Sequence, residues 1–175
     1  MKAPLTLLMF LTFGMVITSC EDKTEKEENL ETEEMTVNLI NDEFPEAKKE
    51  IRMTMDSIVQ SVKDGDLDRL ISFHAYGPKF SEFKNGEMRN DDEENEKFER
   101  GVFGSVTNIS KFDMNDMKIA VFGDVANVTT HTDFHMEFGE DAMVVNEQMS
   151  LLFVNTNEGW RIVHEHHSPL NTETE

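Results

Sequence analysis

The residues best equipped for chemistry stand near the C-terminus, in the run Trp160-Arg161-Ile162-Val163-His164-Glu165-His166-His167-Ser168. Three imidazoles within four positions supply a side chain that changes charge near neutral pH, binds metals and passes a proton either way. The run follows Asn155-Thr156-Asn157-Glu158-Gly159, a cluster of turn residues after the apolar stretch Ser150–Val154. It therefore reads as a strand returning antiparallel to that stretch. Side chains alternate along a strand, which puts Trp160, Ile162, His164, His166 and Ser168 on one face. That face passes from apolar to imidazole, the lining expected of a pocket with a greasy floor and a polar mouth. His167 points the other way in this reading, toward solvent or an interface.

Hairpin geometry extends the cluster. Pairing Val154 with Trp160 sets Leu152 opposite Ile162, Ser150 opposite His164 and Gln148 opposite His166. Cross-strand partners share a face, so Gln148, Ser150, His164 and His166 come together. A four-residue turn pairing Phe138 with Met143 adds His131, Asp133 and His135, and a one-residue slip moves all three away. Three readings of the histidines follow. They are hydrogen-bonded wall residues of a scaffold or dimer contact. They orient a polar or anionic ligand in a small-molecule site lined by Gln148, Ser150, Trp160, Ile162, His164 and His166. Or they form a metal site or acid–base pair, for which His131, Asp133, His135, His164 and His166 are the candidates. No tight His/Asp spacing demands a metal, and no Ser-His-Asp order or phosphate-binding Gly loop is legible, so neither metal nor cofactor is expected. His74 and Tyr76 are further candidates at a pocket mouth, against the plainer reading of surface loop residues.

The elements that must position these residues are marked by their ends. Pro45 followed by Glu46 suits a helix start, and Ile51, Met55, Ile58, Val59 and Val62 then recur at helical spacing. Asp64-Gly65 stops that helix and Asp66 caps a short second one carrying Leu67, Leu70, Ile71 and Phe73. His74 to Phe83 reads as a loop or irregular strand broken at Gly77-Pro78, and Asn85-Gly86 is a tight turn. Asp91 to Arg100 opens a third helix whose acidic start suits the helix dipole, with Phe98, Val102 and Phe103 packing inward. The acidic run lacks the alternating ligands and Gly of an EF-hand loop. From Ser105 the period becomes extended, with strands expected at Ile109–Phe122, Val125–Phe138, Met143–Val154 and Trp160–His166. Helices first and an antiparallel meander last make a segregated α+β domain.

The 175 residues carry 36 acidic against 16 basic side chains, a net charge of -20. Such a surface repels phosphates and anionic headgroups, which excludes nucleic acid as an electrostatic partner. The only cysteine, Cys20, closes Ile17-Thr18-Ser19-Cys20 after Lys2 and the apolar stretch Leu5 to Val16, which is short for a bilayer span. This resembles a bacterial lipoprotein signal with its lipobox. The resemblance implies removal of residues 1–19, acylation of Cys20 and a membrane-anchored envelope protein. Glu21 to Glu34 holds eight acidic residues and one large apolar one, so residues 20–44 read as an acidic disordered tether. The folded domain is expected over 45–169, with a tail at 170–175.

The junction Lys63-Asp64-Gly65-Asp66-Leu67-Asp68 between two helices and the terminal Gly159–Ser168 run together resemble the SnoaL-like branch of the nuclear-transport-factor-2-like superfamily. The resemblance covers roughly Pro45 to Ser168. It implies a curved antiparallel sheet wrapped round the helices to form a cone with an internal pocket, and a homodimer. Isomerase-like members place a carboxylate base just after the second helix, whereas this chain has Ser72-Phe73-His74-Ala75-Tyr76-Gly77-Pro78, with no Asp or Glu. A fold shared by many reactions does not name one. Three functions remain open: binding of a small, partly apolar molecule without chemistry, an enzyme using His164 or His166 as acid or base, and a protein-interaction module.

Overall fold

The computed structural model describes residues 38–170 apart from Asn90. The signal reading at Cys20, most of the acidic tether and the last five residues lie outside the described residues. Among the described residues, no helix is long and apolar enough to cross a membrane.

The first helix, α1, spans Pro45–Asp64, with Pro45 in the opening turn where a missing N–H costs nothing. Its buried positions Ile51, Met55, Ile58 and Val62 follow the helical period. Gly65 ends it at φ 67°, a left-handed conformation that a side chain would strain. Asp66 caps α2 (Leu67–Ile71) by accepting from the Arg69 N–H at 3.0 Å. Asp91 caps α3 (Asp92–Phe103) by accepting from the Glu94 N–H at 2.8 Å. The buried positions of α3 are polar, Asn95 and Glu99, while Phe98, Val102 and Phe103 are half-buried.

The described residues form six strands, two before α3 and four after it: β1 (Ser81–Lys84), β2 (Glu87–Arg89), β3 (Asn108–Phe122), β4 (Val125–Phe138), β5 (Asp141–Thr156) and β6 (Gly159–Pro169). They form one sheet in the order β2-β1-β6-β5-β4-β3. The last four strands make the expected antiparallel meander. The wholly antiparallel sheet does not hold, because β1 lies parallel to β6. After α2 the chain meets the free edge of β6, where Ala75 N–H donates to Ile162 O and Ile162 N–H to Phe73 O, both at 2.8 Å. It then runs on in the same direction as β6. The Asn85-Gly86 turn, with φ 54° and 89°, reverses it into β2.

Two registers differ from expectation. The β4–β5 turn is Gly139-Glu140 alone, pairing Phe138 with Asp141 and His131 with Gln148. A two-residue turn keeps the ladder intact to its end, which a longer loop would sacrifice. The β5–β6 turn pairs Asn155 with Trp160 and Phe153 with Ile162, and then Leu152 with His164. Val163 is therefore an extra residue, a β-bulge that reverses which side chains face inward beyond it. Before the bulge Trp160 and Ile162 are buried, and after it Glu165 is buried while His166 is exposed.

The inner face of the sheet packs on α1. Ala126, Val128, Leu151 and Phe153 meet the helix stripe of Ile51, Met55, Ile58 and Val62 in one core. Burying each large aliphatic or aromatic side chain contributes about 1.5–3 kcal/mol relative to exposure.

Candidate ligand-binding site

Between the sheet and the helices lies a cavity of about 450 Å3, within the roughly 300–1,000 Å3 of small-molecule sites. Its two ends differ. Strands β3, β4 and β5 supply an apolar end that includes Phe112, Phe134, Met136 and Met149. Phe112 and Phe134 stack there with centroids 4.2 Å apart. The methionines pack this end flexibly, a surface that adapts to more than one shape. The opposite end is ionisable: His74 follows α2, Lys84 ends β1, Glu99 lies on α3, Glu147 on β5, and Glu165 and His167 on β6.

The bulge at Val163 decides this composition. It turns Glu165 and His167 inward and sends His164 and His166 to the outer face. His164 Nδ1 lies 2.9 Å from Ser81 Oγ, and both imidazoles stand edge-on to the half-exposed Phe83 ring. Gln148 and Ser150 share that outer face, as do His131, Asp133 and His135. The expected cluster therefore does form on one side of the sheet, but on the side away from the cavity. His131 contacts Asp116 at 3.4 Å, and His135 and Lys111 both bond Asp133. Of the six residues expected to line a ligand site only Ile162 lines the cavity, joined by His74 from the candidates at the pocket mouth. Trp160 is buried beside α1, donating from Nε1 to Glu50 Oε2 at 3.1 Å, and does not reach it. His167, expected outside, lines the cavity.

Glu165 is the hub of the ionisable end. Its Oε1 lies 2.5 Å from His74 Nε2 and its Oε2 3.1 Å from His167 Nε2. His74 Nδ1 is 3.2 Å from the carbonyl oxygen of Ile71. A carbonyl and a carboxylate only accept, so both nitrogens of His74 must donate, and the ring is an imidazolium. Burial opposes that charge, but the Glu165 carboxylate outweighs it and holds the His74 pKa above its ordinary value. The same contest at His167 ends at about 9: burial disfavours the charge, and the Glu147 and Glu165 carboxylates override it. His167 Nδ1 is 3.3 Å from Glu147 Oε2, near enough for charge attraction but outside hydrogen-bonding geometry, and so has no hydrogen-bond partner. Glu165 itself is held well below the carboxylate range, because the two imidazoles outweigh its burial.

Glu99 behaves oppositely. It is 8% exposed, faces the cavity, and has no hydrogen-bond or ion-pair partner among the described residues. Burial, with the nearby Glu165 charge, raises its pKa to about 7. A carboxyl in that state can give or take a proton near neutral pH.

A second layer braces the end. His74 stacks on Tyr76 at 5.0 Å, and Tyr76 packs edge-on to Phe80. The Tyr76 hydroxyl donates to Asn95 Oδ1, and Asn95 Nδ2 donates to Glu82 Oε2 at 2.9 Å. Arg89 Nη1 bonds the same oxygen at 3.0 Å, its guanidinium 3.7 Å from the Phe98 ring centroid. His74 and Tyr76 are thus interior residues rather than surface ones. Glu82, Asn95, Glu99, Glu147 and Glu165 are not marked by the sequence, which points His167 away from the pocket. The nearest signal was a carboxylate set between histidines in the β6 run.

A profile described as SnoaL-like domain matches residues 51–172. No functionally curated protein matches the chain. Similar solved structures include a candidate dehydratase of the nuclear-transport-factor-2-like family from Streptomyces avermitilis, at 18% identity and TM-score 0.65, covering 73% of this chain and 99% of that one. A superfamily protein from Salmonella enterica serovar Typhimurium has 20% identity and TM-score 0.61, covering 75% and 97%. A candidate aromatic ring hydroxylase from Novosphingobium aromaticivorans has 15% identity and TM-score 0.64, covering 73% and 92%. At these identities the likeness is one of fold.

Proposed function

Because the chain belongs to the SnoaL-like domain family, whose cone is common to many chemistries, we propose that its cavity binds a small, partly apolar molecule. The apolar body sits among Phe112, Phe134 and Met149, and a polar group reaches Glu99 and His167. The observation that carries this reading is the two-ended cavity, apolar at one end and ionisable at the other. In native mass spectrometry of the purified protein, a discrete small mass should accompany the wild type. It should be lost in Met149→Trp, which fills the apolar end, and kept in His166→Ala, which alters the outer face. A wild type that carries no small molecule and binds an apolar fluorescent probe no better than Met149→Trp refutes the reading.

Glu99 favours a second reading, acid–base catalysis on the bound molecule, since an unpaired cavity carboxyl with a pKa of about 7 suits proton transfer. It moves the catalytic role from His164 and His166 to Glu99. The same mass measurement separates the two readings: a ligand converted on incubation by the wild type but not by Glu99→Gln is a substrate.

The setting we propose is the cell envelope, with the domain tethered to a membrane by lipid on Cys20, a reading supported by Ile17-Thr18-Ser19-Cys20 after a short apolar stretch. The outer sheet face, where Phe83 and Val144 stand exposed, is the surface proposed for pairing of two copies.

A further inference from the structure

We infer that Glu82, Glu165 and His167 form a divalent-cation site at the ionisable end of the cavity. One potential ligand atom from each lies within 4.8 Å of the others. Among the described residues, two buried side-chain atoms lack a hydrogen-bond partner: Glu82 Oε1, the free ligand arm, and His167 Nδ1, which stays turned to Glu147 when Nε2 takes the cation. Glu82 is fully buried, so its unsatisfied oxygen has no water to turn to and calls for a partner. Its other oxygen is fixed by Arg89 and Asn95, which leaves Oε1 as the free arm.

The outer bonds are those that orient metal ligands. Asn95, held by the Tyr76 hydroxyl, aims Glu82, and His74, bonded to Ile71 O, aims Glu165. His167 Nε2 and Glu165 Oε2 stand 3.1 Å apart. Two ligands on a tetrahedral zinc, each at about 2.0–2.1 Å, stand about 3.3 Å apart. A cation thus replaces the proton between these two atoms with almost no movement. Glu82 closes from at most 4.8 Å by roughly 1.5 Å.

Charge supports the same occupant. The buried carboxylates are Glu82, Glu99, Glu147 and Glu165, and the fixed cations among them are Lys84 and Arg89. With His74 an imidazolium, His167 neutral and Glu99 ionised, four negative charges against three positive leave this end negative, which favours a bound cation. Lys84 pairs with Glu147 at 3.5 Å and Arg89 with Glu82 Oε2, so both cations are offset locally. Two carboxylates and an imidazole suit zinc, and three protein ligands leave its fourth position for water or a bound molecule. Glu165 and His167 line the cavity, so that position opens into it.

This goes beyond the binding reading and does not need it, because the cation is tested alone. The full-length protein, stripped with chelator, is loaded with zinc chloride, desalted and assayed by elemental analysis and X-ray absorption. One zinc per chain should remain, in a shell of one imidazole nitrogen with carboxylate oxygens. Glu82→Gln should weaken zinc binding by at least about tenfold, and His135→Ala should leave it unchanged. The absorption spectrum of the wild type decides the case if Glu82→Gln fails to fold. Zinc lost on desalting, a shell without one imidazole, or binding abolished by His135→Ala overturns the site. Zinc uptake without a copurified small molecule leaves this site standing and counts only against the binding reading.

Discussion

Raising the pH from 6.5 to 9.5 should strip the proton from His167 and weaken the fold. In the unfolded chain the imidazole titrates near 6.5, and in the folded protein near about 9. Below 6.5 both states are protonated and the full stabilisation is present. Above about 9 both are neutral and it is gone. Between these limits the unfolded chain gives up its proton first, so stability falls as pH rises. The gap between 6.5 and about 9, at about 1.36 kcal/mol per pH unit, is worth about 3 kcal/mol. His74, also raised, adds a fall of the same sign. The test is urea unfolding of the metal-free protein across this range, followed by the fluorescence of Trp160, the only tryptophan and a buried one. The His167→Gln variant keeps the contribution of His74 and loses that of His167, so the difference between the two slopes isolates one ring. A wild type that loses less than about 1 kcal/mol, or a variant that loses as much as the wild type, refutes the assignment of an imidazolium between Glu147 and Glu165.

Glu99 has the opposite linkage. Its folded pKa is raised to about 7, so its ionisation destabilises the fold progressively from pH 4.5 to about 7 and fully above that. Glu99→Gln should therefore gain up to about 3 kcal/mol in urea unfolding at pH 8 and little at pH 4.5, and equal stabilities at pH 8 would contradict the burial argument. For the proposed anchor, Cys20→Ser should move the protein from the detergent to the aqueous phase on cloud-point partitioning. A variant that stays in the detergent phase would leave Cys20 without that role.

The helices were legible from their ends. Pro45, Gly65, Asp66 and Asp91 each act through local backbone chemistry, and each stands where that chemistry predicts. The four long strands were legible for the same reason, since alternation and Gly-containing turns are local signals. What is not legible depends on distant contacts. Strand β1 has four residues, of which two are charged, and it exists through pairing with β6 some eighty positions later. Glu99 and Asn95 sit in a helix rich in acids, where a carboxylate reads as solvent-facing until the sheet covers it. Gln148, Ser150, His164 and His166 share a face through two offsetting departures from the expected pairing: Trp160 lies opposite Asn155 rather than Val154, and the bulge adds a second residue, so Ser150 meets His166 and Gln148 meets Ser168. Unbroken alternation through Val163 from Trp160 and Ile162 predicts both imidazoles on the cavity side, and the bulge reverses them. Nothing in the residue types around Val163 announces the interruption.

That single inserted residue also governs how this chain should be compared with its relatives. A strand without the bulge presents position n to the interior where this one presents position n + 1. Aligning β6 column by column would therefore set Glu165 and His167 against residues that face solvent, and would match interior residues to His164 and His166. Opening a one-residue gap at Val163 restores the correspondence. Agreement in the letters of the terminal run is then no guide to agreement in the site. A relative with no histidine at the aligned columns can still carry the same interior acid and base.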